Sequence, residues 1–593
     1  MVLSSVNSGR TRPSASVGGA LLRLRARLAA APRLVSWLLT VLVAFFGGLL
    51  RFIRLGEPRA VVFDETYYVK DAWTMLLTGE PRNWPEFLTR RGLDFPVDTL
   101  FAQGDTNRWL SSTEYVVHPP VGKWCIALGL KLFGGAGNTF AWRASTAIAG
   151  TIAIIIMIRV ALRLFNNMSI ALSAGLLMSV DGVGITLSRT GLLEIFIMVF
   201  VLGAFDLLLM HRDWARVKLR AHYAVDAARR DAHWVPDTSR RARRAQRKAA
   251  DGDSSVAGGG ANDTTGTAGA AVSSSANTAG RNQSMLLDAR GPVIAFSWYR
   301  AAAAILIGLA TGVKWSGIYF MAAFCVISVI WDAWERYRAG YRSWLSTGLL
   351  CDAPLTALYM LPLWAVTYLA GWIGWFIHPD SYMHDWARNN PGQGITWLPE
   401  GLRSFVEYHV EMWQFHTTLD TPHDYKANPL TWPLQVRPTS FYWQELDGHP
   451  GLCSLAPHSK CVAAVTSLGN PLIWWLGSLC VIIGIIIAIV KHGDWRIWAV
   501  LAGFIGGWLP WAQYLHRTTF TFYSIVILPW IILAICYVGD HVRRRVSAGT
   551  WRITLAATLL PILLVSVFFY PIWTAMPVPY EFWLSHMWFK SWI

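Results

Sequence analysis

The sequence predicts an all-α polytopic membrane protein, and three observations predict it. The 593-residue chain is 54% hydrophobic and only 15% charged, with a mean hydropathy of +0.35. It carries 33 Trp, a density that suits interfacial belts, where an indole keeps its ring in hydrocarbon and its N–H among headgroups. Its apolar residues gather into runs of about 18 residues or more, the length that crosses a bilayer. These values are wrong for a chain of soluble domains.

Eleven runs read as spans: 34–52, 140–162, 170–187, 192–210, 301–319, 321–334, 349–376, 472–490, 498–515, 523–538 and 553–573. A formal charge of +16 first suggests nucleic acid, but the placement of that charge argues against it. Basic residues crowd the leader (Arg10, Arg12, Arg23, Arg25, Arg27, Arg33) and the short segments between runs. Positive-inside topology explains this, with the N-terminus cytoplasmic and, after eleven crossings, the C-terminus outside. The inside segments then hold Arg163, the stretch after Arg212, Arg336, Arg338, Arg342, Lys491, Arg496, Arg543, Arg544, Arg545 and Arg552. The first run follows a long Arg-rich leader without a small-residue cleavage site, so it reads as a retained span.

The resulting organisation is a basic cytoplasmic leader (1–33), a first transmembrane module (34–211) with an outer loop (53–139), a cytoplasmic insertion (212–297), and a second module (298–593) with an outer loop (378–471). The insertion reads as a basic helix followed by a Gly/Ala/Ser/Thr tract too poor in large apolar residues to offset its ordering entropy. Its basic part is placed to touch anionic lipid. Loop 378–471 is dense in His, Trp, Tyr and Pro without a regular period, and such segments on an outer face commonly line a site. Cys125, Cys325, Cys351, Cys480 and Cys536 lie in or beside apolar runs and act as small hydrophobes. Cys453 and Cys461 flank the polar stretch SLAPHSK, as a disulfide if the loop is extracytoplasmic or as two separate thiols.

The stretch VVFDETYY places the adjacent carboxylates Asp64 and Glu65 between apolar and aromatic flanks, about twelve residues after the first run. At least one of them therefore turns away from water, and a desolvated carboxylate is a stronger base, suited to taking a proton from a hydroxyl. Arg51, Arg54, Arg143, Arg189, Lys314 and Arg517 all fall at outer ends of runs. Singly such cations are snorkelling anchors, but several at one membrane level form a site for an anion such as phosphate. Asp181, Glu194, Asp206 and Asp352 need partners at their depth, and Asp181, Arg189 and Glu194 are expected to pair across the third and fourth spans. There is no Gly-rich phosphate loop and no Cys/His set with zinc spacing, and DE is not a DxD sequence. His409, His416 and His423 recur every seven residues, as hydrogen-bonding groups or as a metal set. An acid pair beside clustered cations suits group transfer from a membrane-embedded phosphate carrier, or transport of an anionic lipid or solute.

The ordered motifs RFIRLGEP, VVFDE, HPPVGKW (118–124), AWR, SVDGVGITLSRTGLLE (179–194), GVKWSG (312–317), YHVEMWQFHTTLDTPHDYKANPLTWPLQVRPTSFYW (408–443), GNPLIWW and LPWAQYLHRTTFTFY resemble those of the protein O-mannosyltransferases. These are integral-membrane glycosyltransferases of the GT-C fold. The 408–443 block is the specific one; HPP or DE alone is weak. Glu194 stands where the family usually has Asp, the β-trefoil domain of eukaryotic members is missing, and the insertion matches no family motif. Together with the Ala/Arg-rich composition, this suggests a bacterial, actinobacterial member.

The resemblance implies a polyprenyl-phosphate mannose donor, a Ser or Thr acceptor in a secreted polypeptide, inversion at the anomeric carbon, and no metal or other cofactor. It also allows contact with membrane lipids and the secretion machinery. Asp64 is then the general base, and Glu65 orients the acceptor or nearby cations. Arg143, Lys314, Arg517, Arg54 and Arg51 serve the donor phosphate, while His118, Arg189, His423, Tyr425, Trp432 and Arg437 line the donor or acceptor pocket. The alternatives are a related GT-C enzyme acting on a lipid or cell-wall glycan, which the 408–443 block opposes, and a lipid-carrier transporter. The transporter predicts internal inverted repeats, which the sequence does not display.

Overall fold

The computed structural model describes residues 32–90, 93–233, 290–491 and 493–593. The expected leader, save its last two residues, and positions 234–289 of the expected insertion lie outside the described residues. The eleven runs all fall on helical structure, but they are not eleven equal spans. Among the described residues, eight helices are long and apolar enough to cross a bilayer. The run 170–187 instead falls on two helices, Met168–Val180 and Gly182–Ser188, bent by 59° at Asp181. The fifth run is a shorter helix, Trp298–Val313, and the ninth is the 14-residue Trp495–Trp508 running into a 3-10 turn, Leu509–Tyr514. Pro510 there has no N–H to continue an α-helical ladder.

The contacts divide the chain into two compact units. Among the described residues, the first takes in those from 32 to 206, from 306 to 323 and from 365 to 593. In it α1 (Pro32–Phe52) and the bent pair's first half pack on the long helix Thr139–Phe165, and Pro471–Val490 packs on Thr521–Arg543. The helix starts follow local chemistry. Asn138, Asn167 and Asn470 each accept hydrogen bonds from the first free N–H groups of the helix that follows. Between the first two spans lie a helix, Glu65–Thr78, ended by Gly79 at φ +87, a small hairpin, Phe87–Arg90 with Leu93–Pro96, and a second helix, Val121–Phe133. A three-stranded antiparallel sheet of β1 (Thr439–Leu446), β2 (Cys461–Ser467) and β3 (Val578–Pro579) forms the other non-spanning layer. A disulfide joins Cys461, the first residue of β2, to Cys453 in the 3-10 turn Gly451–Leu455.

Loop 378–471, expected to have no regular period, contains a 19-residue helix, Glu400–Thr418. Its Phe405, Tyr408 and Met412 recur at helical spacing and are buried against Trp372 and Trp375. The aromatic density hid that spacing, because His and Trp fill the positions between.

Among the described residues, the second unit comprises 207–233, 290–305 and 324–364. The helix that begins at Glu194 runs unbroken to His233, so the basic stretch after Arg212 continues the span. Buried charges are paired: His211 with Ser297 Oγ and Asp332, Arg212 with Glu335, Arg300 with Asp332, and Arg336 with Asp352.

The bend at Asp181 controls the first unit. Its carboxylate accepts from the Gly184 N–H (3.0 Å), the Asn470 N–H (3.0 Å) and the Trp474 indole (2.9 Å). The expected pairing of Asp181, Arg189 and Glu194 does not occur, because each finds a closer partner. Arg51 donates to the carbonyls of Gly47, Met178 and Ser179 and to Ser188 Oγ, satisfying backbone groups that the bend would leave open. Arg189 donates to the carbonyls of Arg51, Ile53 and Arg54, closing the end of α1. Asp181→Ala leaves three buried donors without an acceptor. It is expected to cost about 3 kcal/mol or more of stability, read as a lower melting temperature in detergent.

Candidate active site

Asp64 and Glu65 part company at the start of the helix Glu65–Thr78. Glu65 is fully buried and takes two hydrogen bonds from Arg143, Nε to Oε1 and Nη2 to Oε2, both 2.8 Å. Its oxygens also accept from the N–H groups of Val62 (2.9 Å) and Gly191 (2.7 Å). Arg143 spends its remaining donors on the carbonyls of Leu55, Pro58 and Ala60. This knot fixes the turn 62–65, in which Phe63 is held at φ +50, a conformation that costs a bulky L-residue roughly 1 kcal/mol. The Phe63 ring is wedged by Phe441 (4.9 Å, stacked), Phe520 and Phe522.

Asp64 occupies the N-cap position but makes no capping bond, so its carboxylate is left for other work. Its one side-chain hydrogen-bond partner among the described residues is the Tyr68 hydroxyl, 3.5 Å away. Burial, then the nearby Glu194 charge, push its pKa up to about 7, while Lys314 and Tyr68 pull the other way.

Beside it opens a cavity of about 300 Å³ lined by His118, Glu194, Lys314, His416, Arg517 and Tyr523, with Trp315, Trp413 and Trp511 on its apolar wall. Lys314 stands in the break between Trp298–Val313 and Gly317–Ala339. Gly317 permits that break, since a Cβ there would meet the Thr311 nitrogen at 2.6 Å. The Lys314 ammonium pairs with Glu194 Oε1 and lies 4.7 Å from the centre of the Tyr523 ring. Glu194 Oε2 and Arg517 Nε are buried without a hydrogen-bond partner among the described residues. An unpaired donor on a cation suits an anionic group, and an unpaired carboxylate oxygen suits a hydroxyl, so the cavity fits a ligand that carries both.

Of the residues expected at the site, the cavity gathers His118, Lys314 and Arg517, while Asp64 lies outside its lining but within electrostatic reach of Lys314 and Glu194. Arg143 and Arg51 are corrected: both are fully enclosed, with their donors committed to Glu65, backbone carbonyls or Ser188, so neither is open to a phosphate. Arg189 is likewise spent on carbonyls, and Arg54 is exposed away from the cavity lining. His423 packs on Phe520 and hydrogen-bonds the Tyr425 N–H, outside the lining. Tyr425 lies under the Arg437 guanidinium, which grips the carbonyls of Asp424, Ser591 and Ile593. Trp432 is buried behind the wall, against Trp511 and Tyr523. His409, His416 and His423 point to separate partners, Tyr368, Val117 and Tyr425. The reading missed Glu194 as a cavity group, and His416 and Tyr523; the seven-residue histidine spacing was a signal for His416 alone.

A carboxylate near a cation-lined cavity, in a bundle of bent and straight spans, suits group transfer from a phosphate carrier, and the sequence matches below give the class, a membrane glycosyltransferase of the GT-C type. The fold agrees. The *Saccharomyces cerevisiae* protein O-mannosyltransferase Pmt1-Pmt2 complex bound to the sugar donor superposes with a TM-score of 0.62 at 14% identity, over 94% of this chain and 92% of that one. Two sequence profiles match in order: dolichyl-phosphate-mannose-protein mannosyltransferase over 117–228, and the C-terminal four-transmembrane region of protein-O-mannosyltransferase over 401–592. The chain belongs to the protein O-mannosyltransferase family. It is 28% identical to the polyprenol-phosphate-mannose–protein mannosyltransferase of *Mycolicibacterium smegmatis* (strain MKD8) over 577 residues, 94% of this chain and 93% of the relative. The enzymes so named from *Mycobacterium tuberculosis* (28%, 94% and 92%) and *Corynebacterium glutamicum* (27%, 93% and 91%) align as fully.

Arg143→Ala leaves the Glu65 carboxylate buried and unpaired, and should destabilise the protein by about 3–5 kcal/mol. The expected result is a large fall in melting temperature in detergent, whereas Arg517→Ala, at a cavity wall, moves it far less.

Proposed function

We propose that this chain transfers mannose from polyprenyl-phosphate mannose to Ser or Thr hydroxyls of polypeptides, with inversion, at the extracytoplasmic end of its cavity. The single observation that carries the mechanism is Asp64, a carboxylate with its pKa pushed up to about 7, in electrostatic reach of cavity-lining Lys314. The hydroxyl oxygen of the acceptor attacks C1 of the sugar and its proton passes to Asp64. The C1–O bond to phosphate breaks on the opposite face, and the carrier phosphate leaves with a second negative charge. Lys314 and Arg517 hold that charge, and as fixed cations they need no reorganisation when it develops. Asp64 loses one negative charge as the phosphate gains one, so the cavity's total is conserved.

The disulfide between Cys453 and Cys461 supports the extracytoplasmic assignment, because cytosolic thiols are kept reduced. The sheet that contains it also presents Phe441 to Phe63, next to Asp64. Acceptors would then be met as they leave the secretion machinery, and the Trp-lined wall would receive the first isoprene units of the carrier. Glu65 and Arg143 act by placing Asp64.

Asp64→Asn in membranes supplied with polyprenyl-phosphate mannose and a Thr/Pro-rich peptide should lose about 10²–10⁴ in rate. Normal mannosylation by that variant would remove Asp64 as base. The pH dependence follows in sign. The base must be ionised, so kcat/KM should be low below pH 6, rise through about 7 and level off above it. A profile flat between pH 5 and 8 would contradict a base with this raised pKa.

A further inference from the structure

We propose that His416, in its Nε2-protonated tautomer, is the positioning residue that aims the Arg517 guanidinium into the cavity. This rests on the reading of Arg517 as a ligand of the carrier phosphate. Two hydrogen bonds define the state of the ring. Nε2 lies 2.6 Å from the Val117 carbonyl, which can only accept, so Nε2 carries the proton. Nδ1 lies 3.2 Å from Arg517 Nη2, which can only donate, so Nδ1 is bare. The bond to Val117 thus sets which nitrogen is free, and the free nitrogen holds the arginine.

The ring has little room to turn. It stacks on His118 at 5.0 Å and 17°, and Trp315 meets it edge-on at 5.8 Å. The groups facing it from the neighbouring segments are Arg517, Lys314 and His118. Burial and then the Arg517 charge pull its pKa down to about 4, so the bare Nδ1 persists wherever the enzyme works.

Arg517 needs such a guide. Its guanidinium lies 5.9 Å from the Trp511 ring centre, its Nε has no partner among the described residues, and no carboxylate pairs with it there. A neutral acceptor fixes the side chain without cancelling its charge, which a carboxylate partner would do. That leaves the positive charge whole for an incoming phosphate. Lys314, paired with Glu194, is the contrasting case.

Two substitutions separate the two bonds. In His416→Gln the longer amide reaches toward the Nε2 position and keeps the Val117 contact, but nothing accepts from Arg517. In His416→Asn the amide oxygen lies near the Nδ1 position and still accepts from Arg517. In membranes assayed with polyprenyl-phosphate mannose and an acceptor peptide, His416→Gln should lower kcat/KM for the donor roughly ten- to a hundredfold, because a misaimed Arg517 serves both the bound and the leaving phosphate less well, and His416→Asn should stay within about threefold of the parent. In the Arg517→Ala background, His416→Gln should add nothing further. Equal effects of the Gln and Asn variants, or full additivity with Arg517→Ala, would overturn the proposal and leave His416 a packing residue. An unchanged donor kcat/KM in Arg517→Ala by itself would overturn the phosphate reading, and this proposal with it. The melting temperature of each variant in detergent reports that the protein has folded, so a collapsed variant is recognised without reference to turnover.

Discussion

The buried pair of Glu65 with Arg143 fixes the turn that carries Asp64, and the candidate site is arranged around that turn. Burying two charges is expensive, and the cost is met only when every lone pair and every N–H has a partner. Here Glu65 takes four hydrogen bonds and Arg143 reaches three carbonyls besides. The pair therefore joins the segment after the first span, the start of the second, and Gly191 ahead of the fourth. With that junction closed, Phe63 is held in a conformation it would not choose, and Asp64 is left as the one carboxylate of the pair without a strong partner.

A second theme is the use of arginine to terminate helices inside an apolar medium. Where a span bends or ends in hydrocarbon, its last carbonyls cannot turn to water and must be met by protein. Arg51 meets those of Met178 and Ser179 at the bend, and Arg189 meets those at the end of α1. These residues have the chemistry of anion ligands and the placement of structural clamps. What separates them from Lys314 and Arg517 is whether any donor is left over for a substrate.

That distinction explains what the sequence could and could not convey. The spans were legible because runs such as 472–490 and 553–573 are apolar throughout, and hydropathy needs no tertiary information. The acid pair and the KWSG lysine were legible because ionisable residues at membrane ends are rare and conspicuous. The bend at Asp181 was not, since it depends on Asn470 and Trp474, nearly three hundred residues away, offering their N–H groups. Nor was the sorting of cations: Arg143 and Arg517 look alike in a string of letters, and only the partners gathered by folding show which one is already occupied. The helix Glu400–Thr418 was obscured for a simpler reason, its apolar stripe being interleaved with His, Trp and Gln of similar bulk.

Asp64 lies within electrostatic reach of the cavity that holds Lys314 and Arg517, and in the proposed transfer their arrangement has an electrical meaning. In the proposed transfer a proton moves onto a side chain while an electron pair moves onto a phosphate nearby, so no counter-ion has to follow. Such a step carries no net current through the bilayer. The voltage that drives many membrane machines would find no charge to push here, and turnover would be set by the chemistry of the sugar–phosphate bond alone.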